Sequence, residues 1–238
     1  MARLIGTRRE TSLHRDLKFT YTGTGGKTEA EVAGFVADGI SARGEYIEVQ
    51  TGSFGPLRKK AAELVSLGKL KIIYPIIVNK YIEVFYEKGK QLYRRKSNRH
   101  GSPWDLFDVL IYAPDLPLLP GLSIELALVD VSEQRIRDGK GSWRRRGMSI
   151  CDRKLLAFHD RICLKKPADF LRFIPFSKNE KFTSALLADK AKINPDTARK
   201  VLYTAAKMEI VKITGKQGKF LIYQVVLSKN TRKTKIPI

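Results

Sequence analysis

Apolar and polar residues alternate most regularly between positions 29 and 51 of the chain. This period of two is typical of β-strands with one buried face, and it predicts strands at about 29–40 and 45–51. The segment Ala42-Arg43-Gly44 between them predicts a tight turn. The sequence therefore predicts an antiparallel pair of strands whose register depends on the length of that turn.

Polar side chains of this pair meet on one face. Tyr46, Glu48 and Gln50 share a face of the second strand, because every second residue of a strand points the same way. With a three-residue turn centred on Arg43, Asp38 lies directly across from Glu48. Two opposed carboxylates roughly 5 Å apart repel one another, so a cation between them stabilises the pair. The pair is a candidate metal site.

Further elements surround these two strands. The sequence predicts a charged helix at 8–16, a strand at 17–21, a helix from Gly55-Pro56 to Gly68, and strands at 70–78 and 80–86. The order is α-β-β-β-α-β with one strand added. The segment TGTGGKT at 22–28 is predicted to be a flexible turn and not a P-loop, because the first glycine of that motif would fall on Tyr21.

The next part of the chain gives weaker patterns. The sequence predicts a basic loop at 88–100, a short helix at 103–114, a strand at 122–136 and a segment of mixed character at 149–164. We divide the chain into a first domain at 1–100, a middle region of unassigned fold at 101–178 and a C-terminal domain at 179–238.

The C-terminal domain has a helical pattern of its own. It predicts a helix at 180–193, a turn at Asn194-Pro195, a second helix at 195–211, and short strands at 210–214 and 220–226. The inward face of the second helix is predicted to consist of Ala198, Val201, Leu202 and Ala205. Two helices followed by a β-hairpin are typical of the winged-helix DNA-binding fold. The tail at 228–238 predicts a basic arm that contacts phosphates.

The composition indicates a polyanionic partner. The chain carries 45 Lys and Arg against 24 Asp and Glu, a net charge of +21, and nucleic acid is the commonest partner of such a chain. An anionic membrane and adaptation to heat are the alternatives. Cys151 and Cys163 lack metal-site spacing, which favours reduced thiols. Without a signal peptide or a long apolar segment, we expect a cytoplasmic, nucleoid-associated protein.

The stretch from residue 10 to about residue 85 resembles the PD-(D/E)XK, or restriction-endonuclease-like, nuclease superfamily. The resemblance implies an α/β fold with an αβββαβ core, and it matches Glu10 to the acid of the first helix, Asp38 to the Asp and Glu48 to the acid of the triplet. Gln50 stands where the family has Lys. The following helix is predicted to face inward with Leu57, Ala61 and Leu64, and Lys60, which lies along that stripe, is the candidate to replace it.

Phosphodiester hydrolysis fits this set of residues. Mg²⁺ or Mn²⁺ would be held by Asp38 and Glu48, with the Val49 carbonyl as a further ligand. Gln50 would orient water or a phosphate oxygen, and Lys60 would stabilise negative charge. The alternatives stay open. Asp38 would otherwise be a solvated turn residue, Glu48 an ion-paired strand acid, and Glu10 and Lys60 solvated helix residues.

Basic and aromatic side chains are candidates for DNA contact. The candidates are Arg199, Lys200 and Tyr203 on the second C-terminal helix, Lys216 and Lys219 at the tip of the hairpin, and Arg144 and Arg145 beside Trp143. Arg94-Arg95-Lys96 is a further basic cluster. A winged helix that contacts protein, and loops that are merely solvated, are the alternative interpretations.

The sequence thus predicts a metal-dependent DNA endonuclease that a winged helix positions on duplex or branched DNA, with a homodimer as one possible assembly. The alternative is a DNA-binding protein whose nuclease-like domain has lost activity with the change from Lys to Gln50. A nuclease acting on RNA, or a structural chromatin protein, is the third hypothesis.

Overall fold

The computed structural model of the chain describes residues 10–86 and 89–226. Arg8 and Arg9 of the predicted first helix, Lys88 of the predicted loop and the predicted basic arm at 228–238 lie outside the described residues. The architecture is mixed α/β, with a main mixed sheet and a small C-terminal antiparallel sheet accompanied by helices.

The helices and strands follow one another in a simple order. Along the chain they are α1 (Ser12–Thr22), β1 (Lys27–Val32), β2 (Phe35–Ile40), β3 (Tyr46–Val49), α2 (Leu57–Leu67), β4 (Leu70–Phe85), β5 (Gln91–Lys96), α3 (Leu106–Leu110), β6 (Leu122–Arg137), β7 (Met148–Leu164), β8 (Lys181–Phe182), α4 (Ser184–Ala191), α5 (Pro195–Lys207), β9 (Val211–Gln217) and β10 (Phe220–Val225).

The main sheet has seven strands in the order β1-β2-β3-β4-β6-β7, with β5 paired to β4. The chain divides into two compact units whose segments interleave. The first consists of Met1–Thr51, Ile73–Ser102 and Leu126–Ile162, and the second of Gly52–Ile72, Pro103–Glu125 and Cys163–Ile238. Three of the boundaries fall inside the long strands β4, β6 and β7.

The core of the first unit lies between α1 and the sheet. Leu13 and Leu17 of α1 are almost fully buried against apolar residues of β3, β4 and β6 such as Ile47, Ile73 and Val129. Leucines at i and i+4 lie on one face of a helix, so α1 presents a single apolar stripe to the sheet.

The predicted strand at 17–21 is wrong, because these residues form the second half of α1. Leu17 and Tyr21 follow Leu13 at helical spacing and pack against the same core. The single strand predicted at 29–40 is also wrong. It is a hairpin of β1 and β2 that turns at Ala33 and Gly34, where φ is 48° and 77°. Positive φ at both central residues matches the right-handed twist of a two-residue hairpin.

Three predictions for the middle of the chain also need correction. The strands predicted at 70–78 and 80–86 are the single 16-residue strand β4, which tolerates Pro75. The predicted basic loop at 88–100 contains strand β5, whose exposed basic side chains gave no apolar alternation. The mixed segment at 149–164 is strand β7. The helix predicted at 103–114 is shorter, since α3 covers only Leu106–Leu110, and the strand predicted at 122–136 is confirmed as β6.

In the second unit, α2 begins directly after Pro56 and buries Leu57, Ala61 and Leu64, as predicted. The inward face predicted for α5 is confirmed, since Ala198, Val201, Leu202 and Ala205 are buried. The helix predicted at 180–193 is shorter, because Lys181 and Phe182 form strand β8 beside β10 and Thr183 caps α4. Helix α5 ends at Lys207, earlier than predicted.

Candidate functional site

The start of α1 is fixed by polar groups on both sides. Thr11 is the N-cap residue, and its side chain accepts a hydrogen bond from the His14 N–H. Asp152 of β7 accepts hydrogen bonds from the N–H of Ser12 at 2.8 Å and from the Ser12 hydroxyl at 2.6 Å. These bonds satisfy backbone donors that a helix start otherwise leaves open. They hold the first turn of α1 in place over the sheet.

Strands β2 and β3 bring the two predicted carboxylates together. Gly39 pairs with Ile47, and continuing this register by one residue places Asp38 opposite Glu48, as the turn length predicted. Asp38 Oδ2 accepts a hydrogen bond from the Val49 N–H at 2.8 Å. Glu48 Oε1 accepts one from the Asp38 N–H at 3.2 Å. Each carboxylate is therefore oriented by the backbone of the opposite strand.

His14 stands directly over this pair of strands. Its Nε2 lies 2.9 Å from the Val49 carbonyl oxygen and 3.2 Å from Asp38 Oδ2. Its Nδ1 lies 2.6 Å from Glu10 Oε1. An imidazole with oxygen acceptors at both nitrogens is best satisfied as the doubly protonated cation. A positive charge thus sits where the two strands offer a carboxylate and a carbonyl oxygen.

The electrostatics agree with this geometry. Burial alone would lower the pKa of His14, but the hydrogen bonds and charges of Asp38 and Glu10 outweigh it and raise the pKa to about 9. The side chain of Lys18 is almost fully buried, and its Nζ lies 2.9 Å from Glu10 Oε1 and 3.1 Å from Glu29 Oε1. Burial opposes ionisation of Glu10, yet its bonds to His14 and Lys18 leave its pKa below the ordinary value.

Glu10 is not on the first helix, in contrast to the prediction, because Thr11 caps α1 and the helix begins at Ser12. Its carboxylate still reaches the site through His14. Gln50 follows β3 and is half-buried, and its backbone N–H donates to the Ile73 carbonyl at 2.8 Å. Lys60 lies on α2, beside the buried stripe of that helix, and is half-buried. It belongs to the second unit, so its part in the chemistry stays a prediction.

The oxygens of the site suit a hard divalent cation. Asp38 Oδ2 and the Val49 carbonyl oxygen converge on one point, since both lie close to His14 Nε2. Carboxylate and carbonyl oxygens are the ligands that Mg²⁺ and Mn²⁺ prefer. Across residues 10–86 and 89–226, no three His, Cys, Asp or Glu side chains form a ready-made metal site. A metal here would use Asp38, Glu48 and the Val49 carbonyl and would displace His14.

The predicted DNA contacts of the C-terminal helices differ in their surroundings. Arg199 is exposed and forms an ion pair with Asp196 at 3.2 Å. Lys200 is held more firmly, because its Nζ lies 2.9 Å from Asp108 Oδ1 and 2.7 Å from Asp196 Oδ2. Hydrogen bonds to those two carboxylates also raise the pKa of Lys200. A lysine paired in this way is poorly placed to bind a phosphate as well.

Other side chains predicted to contact DNA are more exposed to solvent. Tyr203 is exposed, with the Lys207 ammonium 5.9 Å from its ring centre. Lys219 lies at the turn between β9 and β10 and projects over the Phe220 ring at 5.5 Å. Lys216 is exposed but lies within β9, opposite Leu221, and not at the tip as predicted. The β9 strand is longer than its apolar pattern indicated, because its last residues are exposed on both faces.

The remaining basic clusters lie in the first unit. Arg144 is exposed, and its guanidinium lies 5.7 Å from the centre of the Trp143 ring. Arg145 is half-buried and donates to the Met148 carbonyl at 3.2 Å. On β5, Arg94 covers the Tyr81 ring at 4.6 Å and forms an ion pair with Glu83.

Sequence reasoning missed His14 and Lys18, to which it gave no role in the site. The signal was present: Glu10, His14 and Lys18 recur every four residues, which places polar groups along one side of α1.

The thiols of Cys151 and Cys163 are free. Within the described ranges, no helix is long and apolar enough to span a membrane.

Comparison with known proteins identifies a family to which this chain is similar. The model of a family described as "Domain of unknown function (DUF8091)" matches residues 11–165. An uncharacterized protein of Treponema pallidum (strain Nichols) is 32% identical over 152 residues, which is 64% of this chain and 61% of the Treponema protein. The chain thus covers less than two thirds of that relative. No solved structure matches the chain.

Proposed function

We propose a nuclease function for this chain, which belongs to the DUF8091 family: a divalent-metal-dependent endonuclease acting on DNA. The observation that carries the proposal is the cross-strand placement of Asp38 and Glu48, each hydrogen-bonded to the backbone of the other's strand. Beside them, Asp38 Oδ2 and the Val49 carbonyl oxygen converge on His14 at the start of α1. The element order over residues 12–85 is α-β-β-β-α-β, the order of the restriction-endonuclease-like core, and we assign that fold to this part of the chain.

The residues of the site have separate roles in this proposal. Asp38 and Glu48 hold the cation, and the Val49 and Asp38 N–H groups keep the two carboxylates oriented. The bound ion would supply Lewis-acid activation of water and of the phosphate. Gln50, directly after β3, orients water or a phosphate oxygen.

His14 neutralises the site before the metal is bound. Its positive charge compensates the negative charges of Asp38 and Glu10 in a partly buried place, where an unpaired carboxylate would be destabilising. A bound ion would use the same oxygens, and His14 would then withdraw from them, because two cations cannot share the position. Lys18 keeps Glu10 ionised meanwhile.

We assign the winged-helix fold to the C-terminal segment, with α5 as the helix that approaches DNA. Support comes from the order of helices α4 and α5 and the β9–β10 hairpin, and from the exposed Arg199, Tyr203, Lys216 and Lys219. With a net charge of +21 on the whole chain, binding is expected to weaken steeply with salt.

A second candidate function is DNA binding without cleavage. It is favoured by the ring of His14, which lies on the oxygens that a metal needs, and by Gln50 in place of a lysine. The two functions differ in one observable property, because a non-catalytic site has no need of a divalent ion.

The test is cleavage of labelled single-stranded, duplex, flapped and four-way DNA with Mg²⁺ or Mn²⁺. Wild type is compared with Asp38→Asn and Glu48→Gln, and Asp16→Asn on α1 is the matched control for loss of a carboxylate. We expect cutting by wild type and the control, and at least a hundredfold slower cutting by both site variants, in the range of removing one charge-stabilising group, about 10²–10³.

Equal cutting by all four proteins would place the chemistry elsewhere. Tight, salt-sensitive binding by all four without cutting in any metal would favour the non-catalytic alternative. Cutting of an RNA substrate but not of DNA would favour the third hypothesis, a nuclease that acts on RNA.

A further inference from the structure

The loop between β6 and β7 presents an almost fully exposed tryptophan. Trp143 has an exposed fraction of 83%, the largest of the exposed large hydrophobic side chains in the described ranges. Tryptophan side chains bury a large apolar surface when they find a partner and are highly buried on average. An ordered tryptophan held in solvent therefore indicates a contact with another molecule.

The loop is built to hold this side chain in place. Residues Trp143–Arg145 form a 3₁₀ turn, closed by hydrogen bonds from the Arg145 N–H to the Ser142 carbonyl and from the Arg146 N–H to the Trp143 carbonyl, both 2.9 Å. The Gly141 N–H donates to the Gly147 carbonyl at 2.8 Å. A loop fixed by such bonds loses little conformational freedom when it binds.

Glycine is required at the base of the loop. A Cβ at Gly141 would lie 1.8 Å from the Met148 carbonyl oxygen, so the two sides of the loop approach too closely for any side chain. Gly147 has φ +74°, and a Cβ there would lie 3.2 Å from Gly139 Cα. The close approach of these glycines projects Trp143 outward.

The surroundings of Trp143 are basic. The exposed cations of the loop and its flanks are Arg137, Lys140, Arg144 and Arg146. The loop's acid, Asp138, accepts a hydrogen bond from the Lys140 N–H at 3.0 Å. At the other end of the loop, the Tyr93 hydroxyl lies 4.0 Å from Met148 Sδ, and Tyr93 is itself 44% exposed. An aromatic platform ringed by cations is the chemistry that binds single-stranded nucleic acid.

We propose that the β6–β7 loop is a stacking site for an unpaired base, with Trp143 stacking on the base and the surrounding arginines and lysine contacting the flanking phosphates. The proposal rests on the proposed function in taking nucleic acid as the substrate, and it narrows the substrate class. The faces of bases within an intact duplex are already covered by their neighbours, so Trp143 reaches one only at an end, a flap, a gap or a junction. The site therefore selects single-stranded or branched DNA.

The test uses the fluorescence of Trp143 in the full chain. Trp104 packs edge-on against Phe173, so Trp104→Phe keeps an aromatic ring there and leaves Trp143 as the sole tryptophan. This protein is titrated, in EDTA and without metal, with short oligo-dT, with a duplex whose two ends are closed by linkers, and with phosphatidylglycerol vesicles. Binding is also measured by anisotropy of labelled DNA for Trp143→Ala and Trp143→Phe, with Tyr112→Ala, another exposed aromatic, as the matched control.

We expect oligo-dT to quench Trp143 and the closed duplex to leave its emission unchanged. Trp143→Ala should weaken oligo-dT binding by about 5- to 100-fold, the range found for loss of one base-stacking ring, and Trp143→Phe should restore part of it. Tyr112→Ala should bind as wild type does. Unchanged affinity in Trp143→Ala, or emission altered by vesicles and not by oligo-dT, would overturn the proposal.

These measurements are independent of cleavage, so the two proposals fail separately. Quenching by oligo-dT in a protein that cuts no DNA would retain the stacking site and remove the nuclease. Cleavage that Trp143→Ala leaves unchanged on flapped and duplex substrates alike, together with unchanged binding, would retain the nuclease and remove the stacking site.

Discussion

The ionic contacts of His14 make the stability of the fold depend on pH. The folded-state pKa is about 9 against an ordinary value of 6.5, so the protonated ring stabilises the folded protein. This stabilisation is complete below pH 6.5 and is lost progressively as the pH rises to about 9. Replacing His14 by Gln removes the titrating group while keeping a side chain that can donate a hydrogen bond.

The size of the effect follows from the two pKa values. The difference between 6.5 and about 9 corresponds to roughly 3.5 kcal/mol at most, at about 1.4 kcal/mol per unit of pKa. The ring of His14 has 20% of its surface exposed, and its partner Glu10 34%, so solvent screening reduces the value to about 1–2 kcal/mol. That corresponds to a change in the urea midpoint of about 0.5–1 M.

The assay is urea unfolding of wild type and His14→Gln at one pH below 6.5 and one above 9. We expect wild type to exceed the variant in stability by about 1–2 kcal/mol more at the lower pH than at the higher. Comparison of the two proteins cancels the other titrating groups of the chain. If their difference in stability is the same at both pH values, His14 does not carry the charge that the geometry assigns to it.

Three further outcomes are expected. Leu17→Ala, in the core between α1 and the sheet, should lower the free energy of unfolding by about 2–5 kcal/mol, and thermal or urea unfolding measures this. Gly141→Ala, whose new Cβ would meet the Met148 carbonyl, should disturb the loop and reduce the quenching of Trp143 by oligo-dT, and unchanged quenching would contradict the close approach. Lys219→Ala should weaken duplex binding more than Lys200→Ala does, because Lys200 is already paired with carboxylates, as anisotropy at low salt would show.

The register of the candidate site could be predicted from the sequence because two local signals agree. The alternation around Glu48 fixes which side chains share a face, and the turn at residues 42–44 fixes which residues lie opposite. The buried stripes of α2 and α5 were predicted for the same reason, since each is a regular repeat of apolar residues over several turns.

The rest of the site depends on tertiary contacts that no local pattern encodes. Residues 17–21 alternate as a strand would, and only packing against the sheet makes them helical. His14 becomes a site residue because the long strand β7 brings Asp152 to the start of α1. The hairpin turn at Ala33 and Gly34 lacks the Asn or Asp that usually marks such turns.

The central claim is that Asp38, Glu48 and the Val49 carbonyl hold a divalent ion in place of His14. The most direct measurement is a titration with Mn²⁺ while the imidazole resonances of the three histidines are followed by NMR. We predict that the resonance of His14 broadens first, and that Asp38→Asn abolishes this while Asp16→Asn does not. Broadening of His14 that is no stronger than that of His100 and His159, or that persists in Asp38→Asn, would contradict the account.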